Sequence, residues 1–352
     1  MKLLLTLAPG LEFAAHGDLL VVDWESKTVL DALRYQHQFY EESHKGFAGA
    51  KLHNNYLIVS MEVELLEFEL APLKLKSSHS FNFLNDAHDI EVTDDRIWVC
   101  NSGLDSVEEF DLNWNHLNCH DMIKPFGRRP AHVWKLMRQD LKRSWKRLTG
   151  NYTYYSYLHE RAPFRNVKKL IWPNFYRQSG KELRYTDFRP HFLHPNHLTK
   201  VGDDIWITLY GSGQIVSLKS QKVIAEGLGH PHDGVIVDDR LLITDCLNHR
   251  VIIYEFDVNH QKIGKLIMSK ELSRVNCGGF VRGIVCVDGQ VLVGLTAKRG
   301  AAPSDRFARI AQLCPKTLEL LDRWQVPIEF GNSVFSIVDV TTNYSNYGHT
   351  TR

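Results

Sequence analysis

The sequence has no excess of either charge: 42 Lys and Arg stand against 41 Asp and Glu, a formal net charge of +1. Nothing in that balance points to a nucleic-acid backbone or an acidic membrane surface as main partner, and small neutral or acidic ligands stay open. No apolar run approaches the roughly 20 residues of a membrane span. The opening MKLLLTLAPGLEF is broken by Pro9, Gly10 and Glu12, too soon for a signal-peptide core, so a first strand and a cytoplasmic location are expected. Cysteine is scarce and scattered: Cys100, Cys119, Cys246, Cys277, Cys286 and Cys314 include no CxxC pair. That argues against a disulfide framework or a zinc knuckle and suits reduced core thiols. There is no nucleophile-elbow serine and no paired Cys/His signature. YGSGQ at 210–214 joins two strands and opens no helix, so it is a hairpin turn rather than a phosphate loop.

What is present is a repeat. The segment HDIEVTDDRIWVCNSGLDSVEEFDL, from His88, holds a short strand, an Asp-Asp turn, a second strand, a loop and a third strand. It returns as NHLTKVGDDIWITLYGSGQIVSL from Asn196, HDGVIVDDRLLITDCLNHRVIIYEF from His232, RGIVCVDGQVLVGLTAKRG from Arg282 and, more weakly, AGAKLHNNYLIVSMEVELLEFEL from Ala48. In all five the second strand opens nine residues on, at Leu57, Ile97, Ile205, Leu241 and Val291, without a gap. Each copy is an antiparallel hairpin with a tight polar turn. One such sheet cannot bury both faces, and radial packing about an axis solves that. A period near 40 residues in a β-rich chain therefore predicts a propeller. A sixth blade, the first in the ring, is assembled from the two ends: LLLTLA and LLVVDW, closed by the C-terminal FSIVDV. The expectation is all-β, one six-bladed β-propeller over 1–352, with 43% hydrophobic residues sufficient for its core.

The register is interrupted once, between His88 and Asn196, by an insertion in the third blade at about 114–190. Within it AHVWKLMRQDLKRSWKRLTGN places Val133, Leu136, Met137, Leu141, Trp145 and Leu148 at helical spacing. Lys135, Arg138, Lys142, Arg143, Lys146 and Arg147 fill the other faces. This is a basic amphipathic helix, expected to pack its apolar side on a blade. Residues 131–150 also offer a protein or membrane-surface contact. The aromatic stretch after it, with YTYYSYL and IWPNFYR, reads as an ordered lid.

The first strand of each repeat is the innermost, so its leading residue faces one mouth of the channel. That ring reads Ala48, His88, Asn196, His232 and Arg282; the next positions are Gly49, Asp89, His197, Asp233 and Gly283, and His194 and His230 lie just upstream. Packing gives no reason to gather imidazoles, an amide, carboxylates and a guanidinium at an axis. His88, Asn196 and His232 are the candidate metal ligands, with Asp89 or Asp233 completing the shell or orienting a histidine. Arg282 suits a substrate carboxylate or phosphate, and His194, His197 or His230 would move protons. The plainer alternative is that these groups hydrogen-bond one another and water. Lys298, Arg299 and Arg306, in the polar loop TAKRGAAPSDRFAR, either rim the mouth or are simply solvated.

PNHLTKVGDDIWIT, GHPHDGVIVDDRLLITD and VRGIVCVDGQVLVGL resemble the NHL-like and gluconolactonase/strictosidine-synthase-like six-bladed propellers. The order of blocks is closer to a bacterial propeller family of unknown function. The resemblance implies an axial divalent ion, commonly calcium, held from the first-strand position that Asn196 matches. His88 and His232 depart from the oxygen ligands of those sites and favour zinc or a transition metal over calcium. The reading that follows is a metal-dependent enzyme, hydrolase/lactonase-like or lyase, acting on a small acidic or polyol-like substrate. Its rival is a non-catalytic propeller binding a peptide, glycan or protein through its face and insertion.

Overall fold

The computed structural model describes residues 1–9, 16–38, 46–127, 192–272, 279–297 and 307–344, with single helical positions at Trp134, Arg138 and Leu141. Six four-stranded antiparallel sheets form the blades. Their innermost strands are Ser333–Asp339 (blade 1), Ala50–His53 (blade 2), Ala87–Val92 (blade 3), Pro195–Val201 (blade 4), Pro231–Val237 (blade 5) and Val281–Val287 (blade 6). Blade 1 is shared between the ends, with Ser333–Asp339 pairing antiparallel to Lys2–Ala8. Its closure therefore spends backbone hydrogen bonds rather than a covalent link to fasten the ring.

The apolar alternation of the strands is what joins the blades. Six buried clusters each draw on two neighbouring blades, and they run right round. Leu19, Leu57 and Phe68 join blades 1 and 2; Ile58, Leu65, Ile97 and Phe110 join 2 and 3; Cys100, Val107, Leu198 and Ile207 join 3 and 4. Trp206, Ile215, Ile243 and Ile252 join blades 4 and 5; Leu242, Val251, Ile284 and Val293 join 5 and 6; Leu292, Ile310, Leu5 and Leu20 close 6 onto 1. Each fully buried Leu or Ile contributes about 1.5–3 kcal/mol, so the interfaces between sheets carry the stability. Cys100, Cys246, Cys286 and Cys314 are free thiols, as their scatter implies.

The second strands open at Tyr56, Arg96, Asp204, Arg240 and Gln290, one residue before the expected starts in every copy. The register is thus kept while the boundary moves. A larger correction concerns the insertion. His116–Asp121, assigned to it from sequence, is the outer strand of blade 3, paired to Ser106–Asp111. Its side chains are exposed or half-buried, so no apolar alternation marked it as a strand. The interruption follows blade 3 instead of lying within it. Trp134, Arg138 and Leu141 are helical and exposed. Leu141, expected on the packed side, is 56% exposed. The remainder of 131–150, the aromatic stretch to 190, and Lys298, Arg299 and Arg306 lie outside the described residues. Among the described residues no helix is long and apolar enough to cross a membrane.

Candidate functional site at the axial mouth

Five of the six innermost strands break register at their leading end. The shifts fall between Ala87 and Ile90, Pro195 and His197, Pro231 and Asp233, Arg282 and Ile284, and, in blade 1, between Val334 and Ser336. A bulge bends the strand and re-aims the extra side chain. Here the extra residues include His88, Asp89, Asn196, His232, Gly283 and Phe335. The bulges thus fall at the leading positions singled out from sequence, and blade 1 adds Phe335 to them.

The imidazoles of His88 and His232 meet with ring centres 5.6 Å apart, and Phe335 lies 5.9 Å from the first and 6.2 Å from the second. His88, Asn196 and His232 are 5%, 3% and 3% exposed, a buried inner layer. Next to them His194 lies 5.0 Å from His88, Tyr210 5.4 Å from His194, and His230 5.1 Å from Tyr210. These three and Arg282 are half-buried and form the more open outer layer.

Carboxylates fix this arrangement. His232 Nδ1 lies 3.2 Å from Asp233 Oδ1, while Asp233 Oδ2 accepts from the Gly283 N–H at 2.9 Å and from the Thr244 hydroxyl. Gly283 has φ +67, a conformation that favours glycine. The contacts with His232 and His197 and the Thr244 bond outweigh burial and hold the Asp233 carboxyl below its usual pKa. An ionised carboxylate can only accept, so Nδ1 carries the proton and Nε2 keeps a lone pair. Burial, with Arg282 and His197 nearby, pushes the His232 pKa down in spite of Asp233. In blade 4, His197 Nδ1 lies 2.8 Å from Asp89 Oδ2, which also accepts from Leu198 N–H at 2.9 Å. Burial and Lys51 oppose charge on His197, yet Asp89 and Asp233 prevail and its pKa is raised. A Cβ on Gly49 would come 2.2 Å from Asp89 Oδ1, so blade 2 can close on Asp89 only with glycine there. Lys51 and Glu91 pair at 2.9 Å on the inner strands of blades 2 and 3.

The outer layer is pinned in the same way. Asp105 accepts the backbone N–H groups of Phe192, Leu193 and His194 at 2.9, 2.9 and 2.7 Å. It thereby holds His194, at φ +52, against blade 3. Asp245 accepts the His230 N–H at 3.1 Å, and Asn101 accepts the Asn85 N–H at 2.8 Å. Asn101 and Asp245 occupy one repeat position, thirteen residues past His88 and His232. That equivalence is a signal in the repeat itself, beyond the first-strand positions.

Among the described residues, His232 Nε2 and Asn196 Oδ1 are buried acceptors with no hydrogen-bond partner. Buried acceptors without donors are costly unless water or a cation meets them. The donor set fits a divalent ion weighted toward nitrogen. Asp89 and Asp233 already receive hydrogen bonds, and among the described residues no three His, Cys, Asp or Glu side chains form a metal cage by themselves. Elsewhere, a cleft of about 530 Å³ opens at the rim between blades 3 and 4, lined by residues including His120, Met122, Phe126 and Leu218.

No protein-family profile and no curated protein sequence matches the chain. Solved structures do match in shape. A Bacteroides caccae protein of unknown function superposes with a TM-score of 0.55 at 8% identity, covering 96% of this chain and 97% of its own. A chain of a nidogen/laminin complex matches with a TM-score of 0.55 at 10% identity, covering 96% and 97%. The periplasmic gluconolactonase of Pseudomonas aeruginosa matches with a TM-score of 0.50 at 9% identity, covering 96% and 98%. These likenesses are of overall fold, and the six blades expected from the repeat are counted in the sheets of the chain itself. One belongs to a protein complex and another to a lactonase, so the fold alone does not choose between the two functions.

Proposed function

We propose that the axial mouth is the active site of a metal-dependent enzyme, lactonase-like hydrolase or lyase, acting on a small acidic or polyol-like molecule. The observation that carries this reading is the pair of buried acceptors, His232 Nε2 and Asn196 Oδ1, on adjacent blades. A divalent ion, zinc or a transition metal, would be held by His88, Asn196 and His232, and when bound would supply Lewis-acid polarisation and a bound water of lowered pKa. Asp233 fixes the ring of His232 and keeps Nδ1 protonated, the usual second layer of a histidine ligand. Asp89 orients His197 through Nδ1 and, with Asp233, raises its pKa against burial. In the open layer His194 and His230 are within reach of the mouth to take or return a proton, and Tyr210 lies between them. Arg282 supplies positive charge beside them for an anionic substrate group. The gluconolactonase likeness is compatible with this reaction class.

The test is a panel of small sugar lactones, hydroxy acids and polyol esters, followed by proton release. Turnover is expected from the parent protein and a fall of at least about 100-fold from Asn196→Ala and His232→Ala with the fold intact, the scale on which metal-ligand shells act. Turnover that survives both substitutions would overturn the reading.

A further inference from the structure

At the mouth, Arg282 differs from four other arginines of the propeller. Arg34, Arg96, Arg240 and Arg250 each have a carboxylate partner, Asp18, Glu109, Asp239 and Asp245 respectively. Arg282 has none among the described residues. It is nevertheless held: its guanidinium carbon lies 4.8 Å from the ring centre of Phe335 and 5.2 Å from that of Phe280, and its Nε donates to Cys246 Sγ at 3.5 Å. Phe335 comes from blade 1, Phe280 from the approach to blade 6, and Cys246 from blade 5 and is fully buried. Three elements thus hold the cation in place, with no counter-ion among the described residues.

Resting on the reading of the mouth as an active site, we propose that Arg282 binds a single carboxylate of the substrate, with Phe280 and Phe335 as its clamp. With Nε directed at Cys246, the terminal nitrogens form the remaining fork, and a fork fits the two oxygens of a carboxylate. A half-buried guanidinium without a partner favours an anion that replaces its lost hydration. One guanidinium matches the single negative charge of a monocarboxylate, and its two free nitrogens match that group's two oxygens. Phe335 also borders His88 and His232, so a ligand anchored at Arg282 lies beside the buried acceptors. The ring therefore sets the spacing between the anchored carboxylate and the inner layer.

Calorimetric titration of the full-length protein with acetate, pyruvate and gluconate, and with inorganic phosphate for comparison, tests this without turnover. At least one of the three carboxylates is expected to bind saturably and more tightly than phosphate. Binding should weaken at least about 10-fold in both Arg282→Gln and Arg282→Lys, because a point charge cannot replace the fork. Phe335→Leu should weaken it while keeping Arg282, and circular dichroism would verify that each variant folds. Equal carboxylate binding by Arg282→Gln and parent, tighter binding of phosphate, or no carboxylate binding at all would overturn the proposal. Carboxylate binding without turnover would count against the active-site reading and leave this one standing. Turnover on an uncharged lactone that is indifferent to Arg282→Gln would do the reverse.

Discussion

Blades 3 to 6 bring His88, Asn196, His232 and Arg282 to the axis, whereas blades 2 and 1 bring Ala48 and Phe335 to the corresponding places. The apolar side is closed by Phe335 packing with Ala8 and Ala48. Both halves share the same strand order, and bulges occur on both sides. A propeller of this sequence can therefore seal its axis with small apolar residues and one phenyl ring, and does so on one side. The polar half is not a requirement of the fold. It keeps two acceptors buried without donors, a cost that packing does not explain.

The largest effect expected from breaking that contrast is on the apolar side. Phe335→Ala empties the space beside Ala8 and Ala48 and should destabilise the protein by about 3–5 kcal/mol in chemical unfolding; a loss under about 1 kcal/mol would mean the axis collapses to fill it. The apolar half also owns a buried imidazole, His37, whose Nδ1 lies 3.3 Å from Glu64. Burial pushes its pKa down to about 4 against the pull of Glu62. The unfolded chain binds that proton first on acidification. The stability contribution is thus full above about pH 6.5 and is lost as pH falls toward 4, by about 3 kcal/mol in all. His37→Gln should flatten that part of the stability profile; an unchanged profile would locate the acid sensitivity elsewhere.

On the polar side, Asp105→Asn weakens the anchor of three N–H groups and should cost about 2 kcal/mol, with His194 more mobile by NMR relaxation. Smallest of all, Asn196→Ala in metal-stripped protein should change stability by less than about 1 kcal/mol, since Oδ1 has no partner to lose. A large loss there would mean that Asn196 serves packing after all.

The sequence exposed the ring because hydrophobic positions and polar turns set the alignment, and the histidines then fell together. It also exposed the shared blade, since FSIVDV had nowhere else to pair. Phe335 escaped because the ring was assembled from five complete copies, and the sixth is split between the chain ends. The strand His116–Asp121 escaped because both of its faces are largely exposed and carry no period. Tyr210, Phe280 and Cys246 escaped for a different reason: each reaches the mouth from outside the first strand, through contacts between blades that no local pattern records. The bulges, too, are invisible to a count of nine residues, although they aim every ligand candidate.

The most direct test of an axial metal centre is elemental mass spectrometry on purified, chelator-washed protein, beside a His88→Ala/His232→Ala double variant shown to be folded. The account predicts about one equivalent of zinc, iron, manganese or copper in the parent and none in the variant. No metal in either, or the same content in both, would contradict it.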